Sequence, residues 1–346
     1  MAAAVLLGPL VRGRRRHAFG PSNLGGNDFM RLALPVLVCT VGVGWSLSPH
    51  GASAQVATDP EAVTHPCVVS TAWAARHLND TWTVVIDARG KVPLYSAGHL
   101  PGAVFLNIEN LRATLGGVPA MLLPAEDLAR RLGGMGVTHR SLVIVYGDQN
   151  NVEPTYVALA LDRLGHATYA IMEGGYAKWV AEGRRTTTAL PRVEAKDYGP
   201  VAGSDTFTVD LAAVRVAVEK AAATYLDSRS PADFAGTGEG PGGHLPGAVN
   251  HPVKQDLLGE QSPLWKPIPL LRESYEAHGL KSDSPVIVGC RTGHSASHAY
   301  FTLRHVLGFQ NVKWYDGSFT EWLGNPDLPV LREGVTDTRP AEPARP

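Results

Sequence analysis

Three things are scarce in this chain, and each scarcity removes a class of function. Only 3 of its 346 residues are cysteine, too few for a disulfide scaffold, and neither they nor the scattered histidines fall at zinc-site spacings. No metal and no cofactor are expected. Charge is sparse and balanced, with 31 Lys and Arg against 32 Asp and Glu, so no nucleic-acid partner is indicated. No dinucleotide or phosphate-loop glycine motif appears. Long apolar runs are also lacking: the best, Leu32 to Leu47, is broken by Pro35, Gly42 and Gly44 and is too short for a stable membrane span.

That run reads instead as part of an export signal. Arg31 precedes it, and Ala52-Ser53-Ala54 follows it as a small-x-small cleavage site before Gln55. Residues 1–54 are thus expected to be an export region cleaved after Ala54, with the mature protein periplasmic or secreted. The start codon (Met1 or Met30) stays open, and so does the route, since Arg14-Arg15-Arg16 ahead of Phe19 allows a twin-arginine signal. Cleavage would remove Cys39 and leave Cys67 and Cys290, which an oxidising compartment could pair.

The remainder repeats itself at an offset of about 145 residues, one domain length rather than a solenoid period. Val84-Val85-Ile86-Asp87-Ala88-Arg89 leads to Gly98-His99-Leu100-Pro101-Gly102-Ala103; Tyr225-Leu226-Asp227-Ser228-Arg229 leads to Gly243-His244-Leu245-Pro246-Gly247-Ala248. Further on, Leu142 to Tyr146 and Pro285 to Gly289 are continuous apolar runs, the mark of strands buried on both faces. Helices are expected over Glu153–Leu164 and Ser295–Leu307, ending at Gly165 and Gly308. Gly174-Gly175-Tyr176 with Trp179 matches Gly317-Ser318-Phe319 with Trp322. Such alternation predicts an α/β fold of two tandem domains, each a mainly parallel sheet flanked by helices. The expected boundaries are 63–187 and 207–335, with a linker over 188–206 and a disordered tail over 336–346.

Cys290 closes the second apolar run and opens the loop Arg291-Thr292-Gly293-His294-Ser295 before a helix, at the carboxyl end of a parallel sheet where ligands bind. Backbone N–H groups and the helix N-terminus would favour an anion there and lower the pKa of a thiol. Gly293 frees the loop's backbone, and Arg291 sets a cation at its rim. Such a thiolate suits two-step covalent transfer: it takes a sulfane sulfur as a persulfide, then yields it to a nucleophile, while Arg229 and Arg291 orient an anionic donor. His294 could tune the thiolate or carry a proton near neutral pH. The first repeat has Tyr146-Gly147-Asp148 where the second has the cysteine, so it should be inert. His99 and His244 occur in both repeats and read as turn residues, and Trp179 and Trp322 as core anchors.

Tyr95, His99-Leu100-Pro101-Gly102-Ala103 and the stretch Val312 to Trp322 resemble the two signatures of the tandem-domain rhodaneses, the thiosulfate and 3-mercaptopyruvate sulfurtransferases. The resemblance runs from about Val68 to Leu331. It implies two rhodanese-like domains, the second catalytic, with Cys290 as persulfide carrier, Arg291, Thr292, Gly293, His294 and Ser295 as its cradle, and Arg229 as the substrate-orienting arginine. The implied partners are a small-molecule sulfur donor and a thiophilic acceptor. Cys290-Arg291-Thr292-Gly293 combines the arginine typical of thiosulfate enzymes with the hydroxyl residue of mercaptopyruvate enzymes; Arg291 tips the reading to thiosulfate. Two rivals stand beside it. A phosphatase of this fold would need arginine at position 296, which is Ala296; a persulfide carrier serving a partner protein would look the same in sequence. The oligomeric state stays open, a monomer included.

Overall fold

The computed structural model describes residues 67–148, 150–201, 205–259 and 262–332. The export region read in residues 1–54, with Cys39, lies outside them, as does the tail expected over 336–346. Each repeat folds around a five-stranded parallel sheet. The first contains β1 (Val68–Val69), β2 (Thr83–Asp87), β3 (Val104–Phe105), β6 (Leu142–Tyr146) and β7 (Tyr169–Met172), with a side hairpin of β4 (Arg112–Leu115) and β5 (Val118–Leu122). The second contains β8 (Thr208–Val209), β9 (Thr224–Asp227), β10 (Val249–Asn250), β13 (Val286–Gly289) and β14 (Val312–Tyr315), with a hairpin of β11 (Leu257–Gly259) and β12 (Ser262–Trp265). Strand orders β1-β7-β6-β2-β3 and β8-β14-β13-β9-β10 are the same topology twice. The apolar runs explain the arrangement: β6 and β13, nearly all buried, are the central strands, covered on both faces.

The repeated motifs do repeated structural work. His99 bridges to Thr187 and His244 to Leu331, so each domain's last segment returns to its own His-Leu-Pro-Gly turn. The Nδ1–H of each histidine donates to a nearby carbonyl, Tyr95 or Phe234, and each ring stacks on that residue at 4.0 Å. Trp179 and Trp322 are buried and donate to Arg185 O and Pro329 O. The linker is less loose than its composition implied. Lys196 N–H bonds Gly133 O, and the buried Tyr198 donates from its hydroxyl to His166 Nδ1 at 2.8 Å, which lays this stretch against the first domain.

The two domains share one apolar core, in which Ile86, Val145 and Leu159 of the first pack continuously with Val288, Phe301 and Trp314 of the second. A core shared in this way holds the domains as one body rather than two hinged ones. Helix Val152–Arg163 lies against helix His294–Phe301, with Thr155 Oγ1 and Ser297 Oγ 2.9 Å apart. The latter helix runs on through one π-turn, Thr302–Val306. Each hairpin reaches the neighbouring domain: Leu122 N–H bonds Asp316 Oδ2 at 2.8 Å, and Trp265 N–H bonds Glu173 Oε1 at 3.2 Å.

Candidate active site

Cys290 leaves the carboxyl end of β13 as a free thiol only 2 % exposed. Cys67 is disulfide-bonded, so the two do not pair. Every carbonyl of the loop is pinned from outside. Cys290 O accepts Phe319 N–H, Arg291 O accepts Thr320 N–H and Thr320 Oγ1–H, Thr292 O accepts Arg112 Nη2–H at 2.7 Å, and Gly293 O accepts Trp314 Nε1–H at 3.0 Å. A trans peptide carries its C=O and the next N–H on opposite sides. Pinning the carbonyls therefore turns the following N–H groups away from their donors. Among the described residues, the N–H groups of Arg291 and Thr292 have no acceptor within the chain. Loop amides left free in this way form a ready anion seat.

Ser318 ties the two ends of this loop together. Its Oγ accepts from Cys290 N–H at 3.1 Å and Gly293 N–H at 2.9 Å and donates to Tyr315 O. It sits at φ 51°, a left-handed conformation that costs a serine about 1–2 kcal/mol. The first domain has Gly175 here, and a Cβ on it would lie 2.4 Å from Gly147 O. Only the copy with the thiol accepts the strain and gains the hydroxyl.

The predicted site residues separate into those at the loop and those beside it. Thr292 and Gly293 lie in the pinned loop, and Ser295 stands partly exposed in the first turn of the following helix. His294 opens that helix with its Nε2 out of water and unpartnered, its ring edge-on to Tyr156 at 5.7 Å. Burial, aided by the Arg112 guanidinium, pushes its pKa down to about 4. It is neutral at pH 7, which corrects the expectation of a proton carrier near neutrality. Arg291 is partly exposed, and its Nη2 is paired with Asp233 at 2.9 Å.

Arg229 is buried and committed. Its Nε and Nη2 grip the Asp227 carboxylate at 2.5–3.0 Å, and Nη2 also reaches Gly243 O at 2.6 Å; only Nη1 lacks a partner. Arg89 holds Asp87 and Gly98 O in the same way, above Tyr176 as Arg229 lies above Phe319. A pair built identically in the copy without a thiol serves the fold first.

The first domain supplies side chains that its own sequence did not advertise. Besides Arg112, Tyr156 brings a buried, unpartnered hydroxyl toward Cys290 and Trp314. Its own equivalent of the thiol position, Gly147, is filled: a Cβ there would stand 2.6 Å from the Pro154 ring. A cavity of about 350 Å³, lined by residues such as Ala217, Thr224 and Pro285, lies at the other end of β9 and β13 and has no charged residue in its lining.

Asp316 joins the domains and carries a titration. Its Oδ2 takes the Leu122 N–H, its Oδ1 has no partner, and burial pushes its pKa up to about 7. Because the folded-state value is raised, the folded chain holds a proton that the unfolded chain has already lost. The stabilisation is complete below the ordinary carboxylate range and is lost as pH rises through about 7. Asp316→Asn cannot ionise, so between pH 5 and pH 9 it is expected to gain stability relative to wild type, by at most ~3 kcal/mol. Parallel denaturation curves for the two proteins across that range would refute the assignment.

Comparison with known proteins agrees with this geometry. The rhodanese-like domain family matches twice, over residues 70–182 and 211–325. A sulfur carrier protein, TtuD of Thermus thermophilus, is 31% identical over 78% of this chain and 98% of its own. A thiosulfate sulfurtransferase of Corynebacterium glutamicum is 28% identical over 78% of this chain and 92% of its own. Among solved structures, SseA of Escherichia coli, described with the 3-mercaptopyruvate sulfotransferases, superposes with a TM-score of 0.65 at 28% identity, covering 73% of this chain and 99% of its own.

Proposed function

This chain belongs to the rhodanese family as two tandem rhodanese-like domains, and from that premise we propose that it transfers sulfane sulfur from a small anionic donor to a thiophilic acceptor through a persulfide on Cys290. The observation that carries the reading is the loop whose carbonyls are all held outward around one buried free thiol. With thiosulfate, the Cys290 thiolate attacks the outer sulfur, the S–S bond breaks, and sulfite leaves with the electron pair. With 3-mercaptopyruvate, the C–S bond breaks and pyruvate leaves as its enolate, which then takes up a proton. Cyanide or a thiolate next attacks the terminal sulfur and releases the Cys290 thiolate again. The free N–H groups of Arg291 and Thr292 would stabilise the negative charge that gathers on sulfur in both steps. The signal pattern before Gln55 supports placing this activity outside the cytoplasm.

A carrier reading is favoured by one finding, the likeness to a sulfur carrier protein. Both readings meet in one experiment. Purified protein is incubated with thiosulfate or 3-mercaptopyruvate, and its mass is measured before and after addition of cyanide. A gain of one sulfur on the Cys290 peptide, discharged as thiocyanate at catalytic rates, is the expected result. Sulfur that loads but leaves only in the presence of a partner protein moves the chain to the carrier class; no sulfur on Cys290 with either donor overturns both.

A further inference from the structure

We propose that Asp233 is a specificity-determining positioning residue: by holding Arg291 it withholds a cation from the donor, and so weighs against the donor of higher charge. This rests on the sulfurtransfer reading above. Arg291 is the residue next to the thiol, and its Nη2 lies 2.9 Å from Asp233 Oδ1, while Nη1 reaches Pro241 O at 3.5 Å. The guanidinium packs on Gly240, where even a Cβ would come within 3.4 Å of Nη2. Arg291 is thus drawn sideways into the glycine-rich turn between Gly236 and Gly243.

The carboxylate waits in a preset position. Asp233 lies in the first turn of helix Pro231–Ala235, where its N–H bonds Ser230 Oγ, Ser230 Oγ–H bonds its Oδ2 at 2.8 Å, and its own carbonyl takes the Gly243 N–H. One oxygen is therefore fixed by the cap while the other faces Arg291. The pair is also peculiar to the copy with the thiol. Six residues beyond the shared aspartates stand Asp233 in one repeat and Pro93 in the other, and the residue after the loop's first position is Arg291 in one and Asp148 in the other. The Asp227–Arg229 pair is kept in both copies, as architecture is; the Asp233–Arg291 pair is kept only beside the sulfur chemistry.

Energetics make the pair a competitor rather than a lock. Both side chains are partly exposed, 40% and 30%, and such pairs are weak enough to open. A donor oxyanion and the Asp233 carboxylate compete for one guanidinium fork. A dianion such as thiosulfate has the most to gain from that cation, and so loses the most to the competition. A monoanion such as 3-mercaptopyruvate loses less and relies on the loop amides.

The test is steady-state kinetics with both donors for wild type, Asp233→Asn, Arg291→Gln and the double variant. Asparagine keeps an acceptor for Ser230 and removes the charge. Asp233→Asn is expected to lower KM for thiosulfate by about three- to tenfold with kcat within about twofold, to change KM for 3-mercaptopyruvate less, and to lose this gain as salt is raised. The double variant is expected to match Arg291→Gln alone. An unchanged ratio of the two donors' KM values, or a gain that survives Arg291→Gln, overturns the proposal. If wild type turns over neither donor, titration of thiosulfate into the Cys290→Ser protein reads the same competition directly. There Asp233→Asn must tighten binding, and equal or weaker binding refutes it whatever becomes of the catalytic reading.

Discussion

Exchanging Cys290 for serine is expected to lower kcat for thiocyanate formation by roughly a thousandfold or more, with the fold intact. The substitution exchanges one atom of a side chain that is 2 % exposed for a slightly smaller one, so packing changes little. Reactivity falls, because a serine hydroxyl needs a general base and the loop offers none: the nearby His294 is neutral, but its Nε2 faces no acceptor or donor. Moving the thiol to the other copy is not expected to restore activity. In Gly147→Cys the new Cβ meets the Pro154 ring at 2.6 Å, and the left-handed residue that ends the loop comes one position later, at Asn151 rather than at the equivalent of Gly293. The double variant Gly147→Cys/Cys290→Ser is therefore expected to be as inactive as Cys290→Ser. Retention of wild-type rates by Cys290→Ser would remove the thiol from the mechanism.

Asp227→Ala is expected to cost more stability than any other single change discussed, on the order of 3–5 kcal/mol. The carboxylate is fully buried and accepts from the Arg229 N–H, Nε–H and Nη2–H. Deleting it strands a guanidinium that is itself 5% exposed, and an unpaired buried charge is what makes broken internal pairs expensive. The strain is delivered next to the thiol, since Asp227 lies in register with Gly289 and Ser228 N–H bonds Gly289 O. Replacing both members, Asp227→Ala with Arg229→Met, is expected to recover part of the loss by removing the stranded charge. Denaturant midpoints measure this. A loss below about 1 kcal/mol for Asp227→Ala would mean that the pair is solvated in solution and does not anchor β9.

Much of the fold was legible because the chain states it twice. The apolar runs at β6 and β13, the glycines that end the two central helices and the paired Asp-x-Arg and His-Leu-Pro-Gly motifs lie at matching places, and each repeat checks the other. The thiol stood out for the same reason, since Gly147 occupies its place in the first repeat. What stayed hidden is what depends on contact between repeats. Arg112 meets Thr292 across 180 positions and Leu122 meets Asp316 across 194, and no local pattern marks residues brought together at such distances. Ser318 was readable in principle: it lies in the recognised stretch Val312 to Trp322, and its replacement of Gly175 is a visible difference between otherwise matching turns. The partners of the arginines were hidden too: Arg229 grips Asp227 and Arg291 pairs with Asp233, and a one-dimensional reading does not show which carboxylate a donor anion must compete with.

The contacts between the domains come in exchanged pairs. A hydroxyl of one central helix meets its counterpart, Thr155 with Ser297, and each hairpin gives an N–H to the acidic residue after the other domain's last buried strand, Leu122 to Asp316 and Trp265 to Glu173. Reciprocity of this kind defines an isologous interface, the contact that two identical subunits make about a two-fold axis. In a homodimer every substitution at such an interface strikes both halves at once. Here the halves belong to one chain and mutate separately, so one loop can carry Gly147 packed against Pro154 and serve as a scaffold while the other carries Cys290.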